Sequence, residues 1–300
     1  MEVSPPADEI IGAEQGIFES KFNRNSFPFS HSLHLHPLCS LDSIIDLARR
    51  RAGMPALVYW SNGKVGVGDS WAAGTVHKAS LEDTLAQIAT NDSLVMLRRL
   101  EQDVTFGPLI KQLMQTLIDR VGPRMRDDVI IGRGTFLIAS PHRITSYHID
   151  GDTNFLFQIR GAKWLDIFDN TDRSLLTDRQ LEQYFCGDVS AAAFRPDRRQ
   201  DGLRYRLGGG SGVHIPSTAP HWAQNLDDVS IALSINFDLR SVERRAKIFR
   251  VNRRLRRLGL SPSPPDQSAW RDEFKLAASN LVRALKKTMR RGVIEEPALR

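Results

Sequence analysis

From about Asp128 the chain falls into short β-type runs separated by Gly, Pro, Asn and Asp: Val129–Ile131, Thr135–Ala139, Asn154–Ile159, Lys163–Phe168, Gly212–Ile215 and Ser230–Phe237. Several short strands at close spacing predict a sandwich or barrel. The last run is the most explicit. Ser230, Ala232, Ser234 and Asn236 alternate with Ile231, Leu233, Ile235 and Phe237, and a strand sends successive side chains to opposite faces. One face is therefore small and polar and the other apolar, as for a strand lying between a solvated pocket and a packed layer.

Helical periods flank this stretch. Leu41–Arg51 has a Ser/Asp start, apolar Ile44, Ile45 and Leu47 and a basic end, which predicts a short helix. Leu81–Ala89 and Ile110–Val121 carry apolar residues at helical spacing, and Val58–Trp60 reads as a strand. Residues 1–30, with Pro5, Pro6 and Pro28, read as a loosely structured lead-in. After Arg240, Ile248, Val251, Leu255 and Leu258 repeat at heptad-like spacing, and Gly259, Pro262, Pro264 and Pro265 end that segment. A second helix follows with Trp270, Phe274, Ala277, Leu281 and Leu285 on one face. Narrow apolar stripes of this kind pack on each other, on the β core or on a second subunit. The expected organisation is a mixed α/β region over 1–127 packing on a β core over 128–239, then basic helices over 240–300.

Charge follows the same division. Residues 240–300 hold 17 Lys+Arg against 6 Asp+Glu, and residues 1–239 hold 24 against 29. The basic character belongs to the tail. Its run Arg250-Val-Asn-Arg-Arg-Leu-Arg-Arg carries apolar residues at heptad spacing, which favours a solvated helical face beside a packing seam over direct nucleic-acid binding. No stretch approaches the roughly 20 apolar residues that span a bilayer. The acidic, proline-bearing start lacks the basic and apolar pattern of a secretory signal, so a cytoplasmic location is expected. Two distant cysteines, Cys39 and Cys186, suggest neither a disulfide framework nor a cysteine zinc site. A metal here would need His and carboxylate ligands.

Such a set exists in Thr145-Ser-Tyr-His148-Ile-Asp150 and, much later, Pro220-His221-Trp222. On a strand, His148 and Asp150 would point to one side, and His221 would complete two imidazoles and one carboxylate. That donor set leaves positions open on the metal and suits non-heme Fe(II). A His-x-Asp triplet by itself is a weak signal, because such a triplet arises by chance in many proteins and also fits a hydrogen-bonded surface pair. The sequence His31-Ser-Leu-His34-Leu-His36 lacks a carboxylate and reads as satisfied or exposed histidines, and His214 as a hydrogen-bonded wall residue. Phe155, Phe157, Trp164 and Trp222 are candidate aromatic walls, though each fits plain core more readily.

The surroundings of the triplet resemble the JmjC and cupin-like 2-oxoglutarate oxygenases, most closely the branch containing the factor-inhibiting asparaginyl hydroxylase. The matching stretch runs Thr-Ser-Tyr-His-Ile-Asp-Gly-Asp-Thr-Asn-Phe-Leu-Phe-Gln-Ile-Arg-Gly-Ala-Lys from Thr145 to Lys163, and Gly212-Val-His-Ile-Pro-Ser-Thr-Ala-Pro-His221 looks like the family's second metal segment. The matches cover about residues 130–238. The resemblance implies a double-stranded β-helix (jelly-roll, cupin) core with flanking helices and a C-terminal helical appendage. It implies Fe(II) on His148, Asp150 and His221, with 2-oxoglutarate as co-substrate and O2 as oxidant. By the same resemblance Lys163 binds the distal carboxylate of 2-oxoglutarate, Thr145 also touches it, and Asn154 and Asn236 are amides lining the co-substrate pocket.

Two departures stand out. The tyrosine that some relatives use on 2-oxoglutarate is not located by the motif, and Gly210-Ser211-Gly212 stands where the family has an acidic residue. Strict strand parity also sets Thr145 opposite His148, so its role requires a bend. The activity implied is hydroxylation of an amino-acid side chain in a peptide or protein, or of a small metabolite, with a homodimer formed through the C-terminal helices. The alternative is a non-catalytic or 2-oxoglutarate-independent metal-binding cupin protein with a regulatory or scaffolding role.

Overall fold

The computed structural model describes residues 10–12, 14, 16–70 and 79–292, with side chains described as far as residue 280. In chain order its strands are β1 (Ile11–Gly12), β2 (Phe27–His31), β3 (Val58–Asn62), β4 (Ser93–Arg98), β5 (Val129–Ala139), β6 (Ile144–His148), β7 (Thr153–Arg160), β8 (Lys163–Ile167), β9 (Leu203–Leu207), β10 (Ser211–Ile215), β11 (His221–Asn225) and β12 (Ser230–Leu239). They form two antiparallel sheets, ordered β1-β2-β10-β7-β12-β5-β4-β3 and β6-β11-β8-β9. Counted from β5, the last eight strands pair first-eighth-third-sixth in one sheet and second-seventh-fourth-fifth in the other. That is the jelly-roll order, the fold class expected. The larger sheet continues through β1–β4, outside the 128–239 stretch.

The two faces of β12 explain how the layers stack. Ile231, Leu233, Ile235 and Phe237 join Phe155, Phe157, Phe136 and Ile138 in the main core. This outer face of the large sheet is covered by helices α2 (Leu41–Arg51) and α4 (Gly107–Val121), through Ile44, Leu47, Ile110, Leu113 and Leu117. The short helices α1 (Ile17–Lys21) and α3 (Leu81–Ala86) border the same layer. The opposite face of β12 looks toward the small sheet. Leu156, Leu165, Ile167, Val213, Ala223 and Ala232 close one end of the space between the sheets, and the polar positions face the rest of it. Behind the small sheet Trp222, Tyr147 and Phe168 pack with Leu175, Leu176 and Leu181 from the long β8–β9 connection.

Several local outcomes differ from the sequence pattern. Val129–Ile131 and Thr135–Ala139 form one strand, although Gly132 and Gly134 read as punctuation. A Cβ on Gly134 would sit 2.9 Å from Ile110 Cγ2, and one on Gly132 2.8 Å from Met114 Sδ. These glycines let α4 approach the sheet closely; they do not break it. The expected loose lead-in is, from Ile10 onward, part of the core. Phe18, Phe22, Phe27 and Phe29 are buried, rings of this group lie 5.9–6.5 Å from the Phe155 ring, and β2 pairs with β10. Pro28 falls within β2, while Pro5 and Pro6 lie outside the described residues.

Helix α5 (Pro123–Arg126) leads into β5, and α6 (Asp178–Tyr184) lies within the β8–β9 connection. The C-terminal helices are α7 (Arg240–Arg257) and α8 (Ala269–Gly292). An ion pair and hydrogen bonds hold α7 down: Arg256 Nε donates to buried Glu182 at 2.8 Å, and Arg240 donates to the carbonyls of Asp127 and Val129. Trp270 and Phe274 are 70% and 71% exposed, so this part of the expected apolar stripe is uncovered among the described residues. The side chains of Leu281 and Leu285 lie outside the described residues. Among the described residues no helix is long and apolar enough to cross a membrane.

Candidate metal centre

Strand pairing brings the distant histidines together. His221, the first residue of β11, lies opposite His148, the last residue of β6. Their rings are 4.2 Å apart between centroids. Asp150 lies beyond the end of β6, not on it, yet its carboxylate turns back to both rings: Oδ2 is 3.6 Å from His148 Nε2 and 3.7 Å from His221 Nε2. All three candidate donor atoms lie within 4.8 Å of one another. Each imidazole has its other nitrogen anchored. His148 Nδ1 donates to the Ser146 carbonyl at 2.7 Å and His221 Nδ1 to the Ala219 carbonyl at 2.9 Å. A carbonyl can only accept, so Nδ1 carries the hydrogen and the Nε2 lone pair faces the centre, as in many metal sites. The separations from Asp150 are shorter than the roughly 4.2 Å that two bonds of about 2.1 Å can span. One divalent ion could therefore bridge the carboxylate to either ring, and with all three donor atoms within 4.8 Å of one another the set is a candidate to hold one ion.

The electrostatics agree with that assignment at His221, whereas at His148 the Asp150 carboxylate favours a second proton, which a bound metal would displace. Burial, with the neighbouring His148, lowers the His221 pKa to about 4, keeping that ring neutral. For His148, burial opposes the charged form, but the Asp150 carboxylate outweighs it and raises the pKa. Burial would raise Asp150 in turn, yet the imidazoles of His148 and His221 hold it down to about 2. The candidate donor set is the His148 and His221 side chains with the ionised Asp150 carboxylate.

The triad opens into a cavity of about 400 Å³ between the sheets. Thr145 lines it together with His148, three residues on, against strand parity. The reason is a bulge. His148 pairs with His221 but Thr145 pairs with Ala223, so three steps on β6 match two on β11 and the register shifts between them. Lys163, Leu165 and Ile167 of β8 pair with Asn225, Ala223 and His221, which carries Lys163 into the cavity wall at the end away from the triad. Its ammonium is buried, and no carboxylate among the described residues lies within 4.0 Å of it. Burial lowers its pKa to about 8.

Asn154 and Asn236 face each other across β7 and β12 and both line the cavity. They belong to one polar chain: Asn154 Nδ2 donates to Ser234 Oγ (2.6 Å), Ser234 Oγ to Asn236 Oδ1 (2.6 Å), and Asn236 Nδ2 to Asp152 Oδ1 (3.0 Å). Asn154 Oδ1 is buried without a partner. Asp152, two residues beyond Asp150, is raised to about 7 by burial and by the Asp150 carboxylate. Asp152, Asn225, Arg133 and Thr135 line the cavity and were missed in the sequence, whereas Ser234 lines it from the polar face expected of β12. Arg133, Thr135, Leu137 and Ala139 alternate along β5, a period that becomes visible once Gly132 and Gly134 are read as part of the strand.

The remaining candidates take other places. Phe155, Phe157 and Trp222 are core residues on the far sides of their sheets, and Trp164 carries Arg204 over its ring. His214 is buried, donating from Nδ1 to the Asn154 carbonyl and accepting from the Asn23 amide. His31 accepts from the Leu33 amide and donates to the Ser211 carbonyl, and His36 caps the turn at Leu38. The Gly210-Ser211-Gly212 departure has a packing cause, since a Cβ on Gly212 would meet the Phe29 ring at 2.2 Å.

No protein-family model matches this chain, and no curated protein matches it. Solved structures of YcfD, a ribosomal oxygenase from Escherichia coli, are similar to it. One has 15% sequence identity and a TM-score of 0.49, covering 94% of this chain and 68% of YcfD. Its complex with cobalt and 2-oxoglutarate has 14% identity and a TM-score of 0.47, covering 93% and 66%. An oxalate decarboxylase from Bacillus subtilis has 17% identity and a TM-score of 0.25, covering 36% of this chain and 21% of that one. The chain thus spans about two thirds of the length of YcfD and about a fifth of the decarboxylase.

Proposed function

We propose that this chain is an Fe(II)- and 2-oxoglutarate-dependent dioxygenase that hydroxylates an amino-acid side chain in a peptide or protein, or a small metabolite. The observation that carries the proposal is Lys163. A buried ammonium with no carboxylate of its own is costly to keep, and this one lies in the wall of the cavity that holds the His148, Asp150 and His221 donor set. A ligand with a carboxylate for Lys163 and a chelating end for the metal satisfies both features at once. A metal-binding module without co-substrate has no use for that lysine.

His148, Asp150 and His221 would hold the iron, and the Ser146 and Ala219 carbonyls fix the orientation of the two rings. Bound there, iron supplies O2 activation coupled to oxidative decarboxylation of 2-oxoglutarate to succinate and CO2. Lys163 would pair with the distal carboxylate as a point charge. The Thr145 hydroxyl, brought to the same wall by the β6 bulge, would donate to that carboxylate, and Asn154 and Asn236 would line the co-substrate's flank. The pattern around His148 supports a place near the asparaginyl hydroxylase branch. Exposed Trp270 and Phe274 support pairing of two copies through the C-terminal helices.

The test is 2-oxoglutarate consumption by the Fe(II)-loaded protein, with anaerobic titration of 2-oxoglutarate beside it. Saturable binding and slow turnover are expected even without a primary substrate, and His148→Ala should strip the metal and abolish both. Absence of binding and turnover in the wild type, with metal content unchanged in His148→Ala, would refute the proposal.

A further inference from the structure

β4 forms one edge of the cavity, and the exposed Arg99 that follows it marks an opening there. Leu94, Met96 and Arg98 alternate into the cavity along this strand, and Arg98 pairs with Thr135 of β5, itself a lining residue. Arg99 follows and lines the same opening, with Arg133 of β5 beside them. The three arginines are not equivalent. Arg133 is committed, with Asp238 at 2.6 Å and Asp152 at 4.0 Å. Among the described residues, no carboxylate lies within 4.0 Å of the Arg98 or Arg99 guanidinium.

The Arg98 side chain and the Arg99 backbone are nonetheless held in place. The Arg98 guanidinium lies 5.4 Å from the centre of the Tyr59 ring, and its backbone is tied on both sides: its amide donates to the Leu57 carbonyl and its own carbonyl accepts from buried Arg51. Arg51 is in turn anchored on Asp103 at 3.2 Å. Arg99 has left-handed backbone angles, φ 56° and ψ 48°. Glycine or asparagine adopts these far more readily than arginine does, and strain of this kind concentrates at ligand-binding positions. The neighbouring Leu100 is fully buried, which keeps the turn fixed and leaves the Arg99 side chain at the opening.

We infer that Arg98 and Arg99 form an anion subsite at the mouth of the metal cavity, and that the primary substrate presents a carboxylate or phosphate ester there while its oxidisable C–H faces the triad. The substrate assignment rests on the oxygenase proposal; the subsite itself does not. Two guanidinium groups suit a planar carboxylate or a phosphate through paired N–H donors. The co-substrate's own carboxylates are accounted for by Lys163 and the metal, so these arginines are left for a second acid.

The experiment uses the full chain loaded with Zn(II) and saturated with 2-oxoglutarate. Three probes are titrated by ligand-observed NMR: N-acetylglycine, methyl phosphate and the neutral N-acetylglycinamide. At least one anion should bind fivefold or more tighter than the amide, and which one does so separates a carboxylate from a phosphate source. The Arg98→Gln/Arg99→Gln protein should lose about tenfold in anion affinity with no change toward the amide, whereas Arg98→Lys/Arg99→Lys should keep most of the preference. Equal binding of anions and amide by the wild type, or a preference that survives in the double Gln protein, would overturn the subsite. A parallel titration in Lys163→Met without 2-oxoglutarate separates the two proposals. If the wild type does not bind 2-oxoglutarate but this protein retains the Arg98/Arg99-dependent anion preference, the oxygenase proposal falls and the subsite stands.

Discussion

Replacing Lys163 by Met should strengthen the fold while removing the co-substrate. The side chain is 6% exposed, and burial lowers its pKa from 10.5 to about 8. At about 1.4 kcal/mol per pH unit, the ammonium is disfavoured in the metal-free protein by about 3 kcal/mol relative to water. Water entering the cavity screens part of this, so the expected effect is about 1–3 kcal/mol. The sign follows from proton linkage. Below pH 8 the lysine is protonated both folded and unfolded, and the penalty is present in full. Between pH 8 and 10.5 the folded protein sheds the proton while the unfolded chain keeps it, so stability rises with pH through that window. Met fills a similar volume without charge. Urea unfolding of the metal-free Lys163→Met protein at pH 7 should give a stability about 1–3 kcal/mol above wild type, with the rise between pH 8 and 10.5 flattened. Anaerobic calorimetric titration of 2-oxoglutarate into the Fe(II)-loaded variant should show affinity reduced by about 100-fold, the loss of one partly buried charge pair worth about 3 kcal/mol. The reasoning fails if the variant is clearly less stable than wild type. It fails equally if 2-oxoglutarate binds within about threefold of the original affinity, a free-energy change under about 1 kcal/mol.

Gly134→Ala should destabilise by about 1–3 kcal/mol through overpacking against Ile110; an unchanged urea midpoint would show that α4 can retreat without cost and that the glycine is not required for its approach. Trp270→Glu/Phe274→Glu should convert a dimer to a monomer in sedimentation analysis with the melting of the β core retained, and a monomeric wild type would remove the proposed pairing.

What could be read from the sequence depended on how local the cause was. The β12 alternation was explicit because strand period and layer order coincide there: the apolar side meets α2 and α4, and the polar side meets the cavity. Gly132 and Gly134 misled because a glycine that admits a neighbouring helix and one that ends a strand look alike until the helix is in place. The phenylalanines of the first 30 residues gave no signal, since their spacing follows the packing around Phe155 and no single period.

The site divides along the same line. His148, Asp150 and Lys163 lie within sixteen residues of one another and could be read as a motif, although the strand-parity argument for Asp150 reached the right side of the cavity by the wrong route. Asp150 is outside β6, and its direction is set by the turn that follows. Thr145 shows the converse. Parity alone puts it on the wrong face, and only the pairing of β6 with β11, some seventy residues away, supplies the bulge that brings it back. The mouth is less local still. Arg98 and Arg133 become neighbours through the β4–β5 register, and Asp152 and Asp238 draw off only Arg133. Which arginine stays available to a ligand is thus decided by partners distant in sequence, Asp238 lying 105 residues from Arg133, so this side of the cavity had no motif to read. The same dependence makes it open to change: a single carboxylate within reach of Arg98 or Arg99 would close the proposed subsite without touching His148, Asp150 or His221.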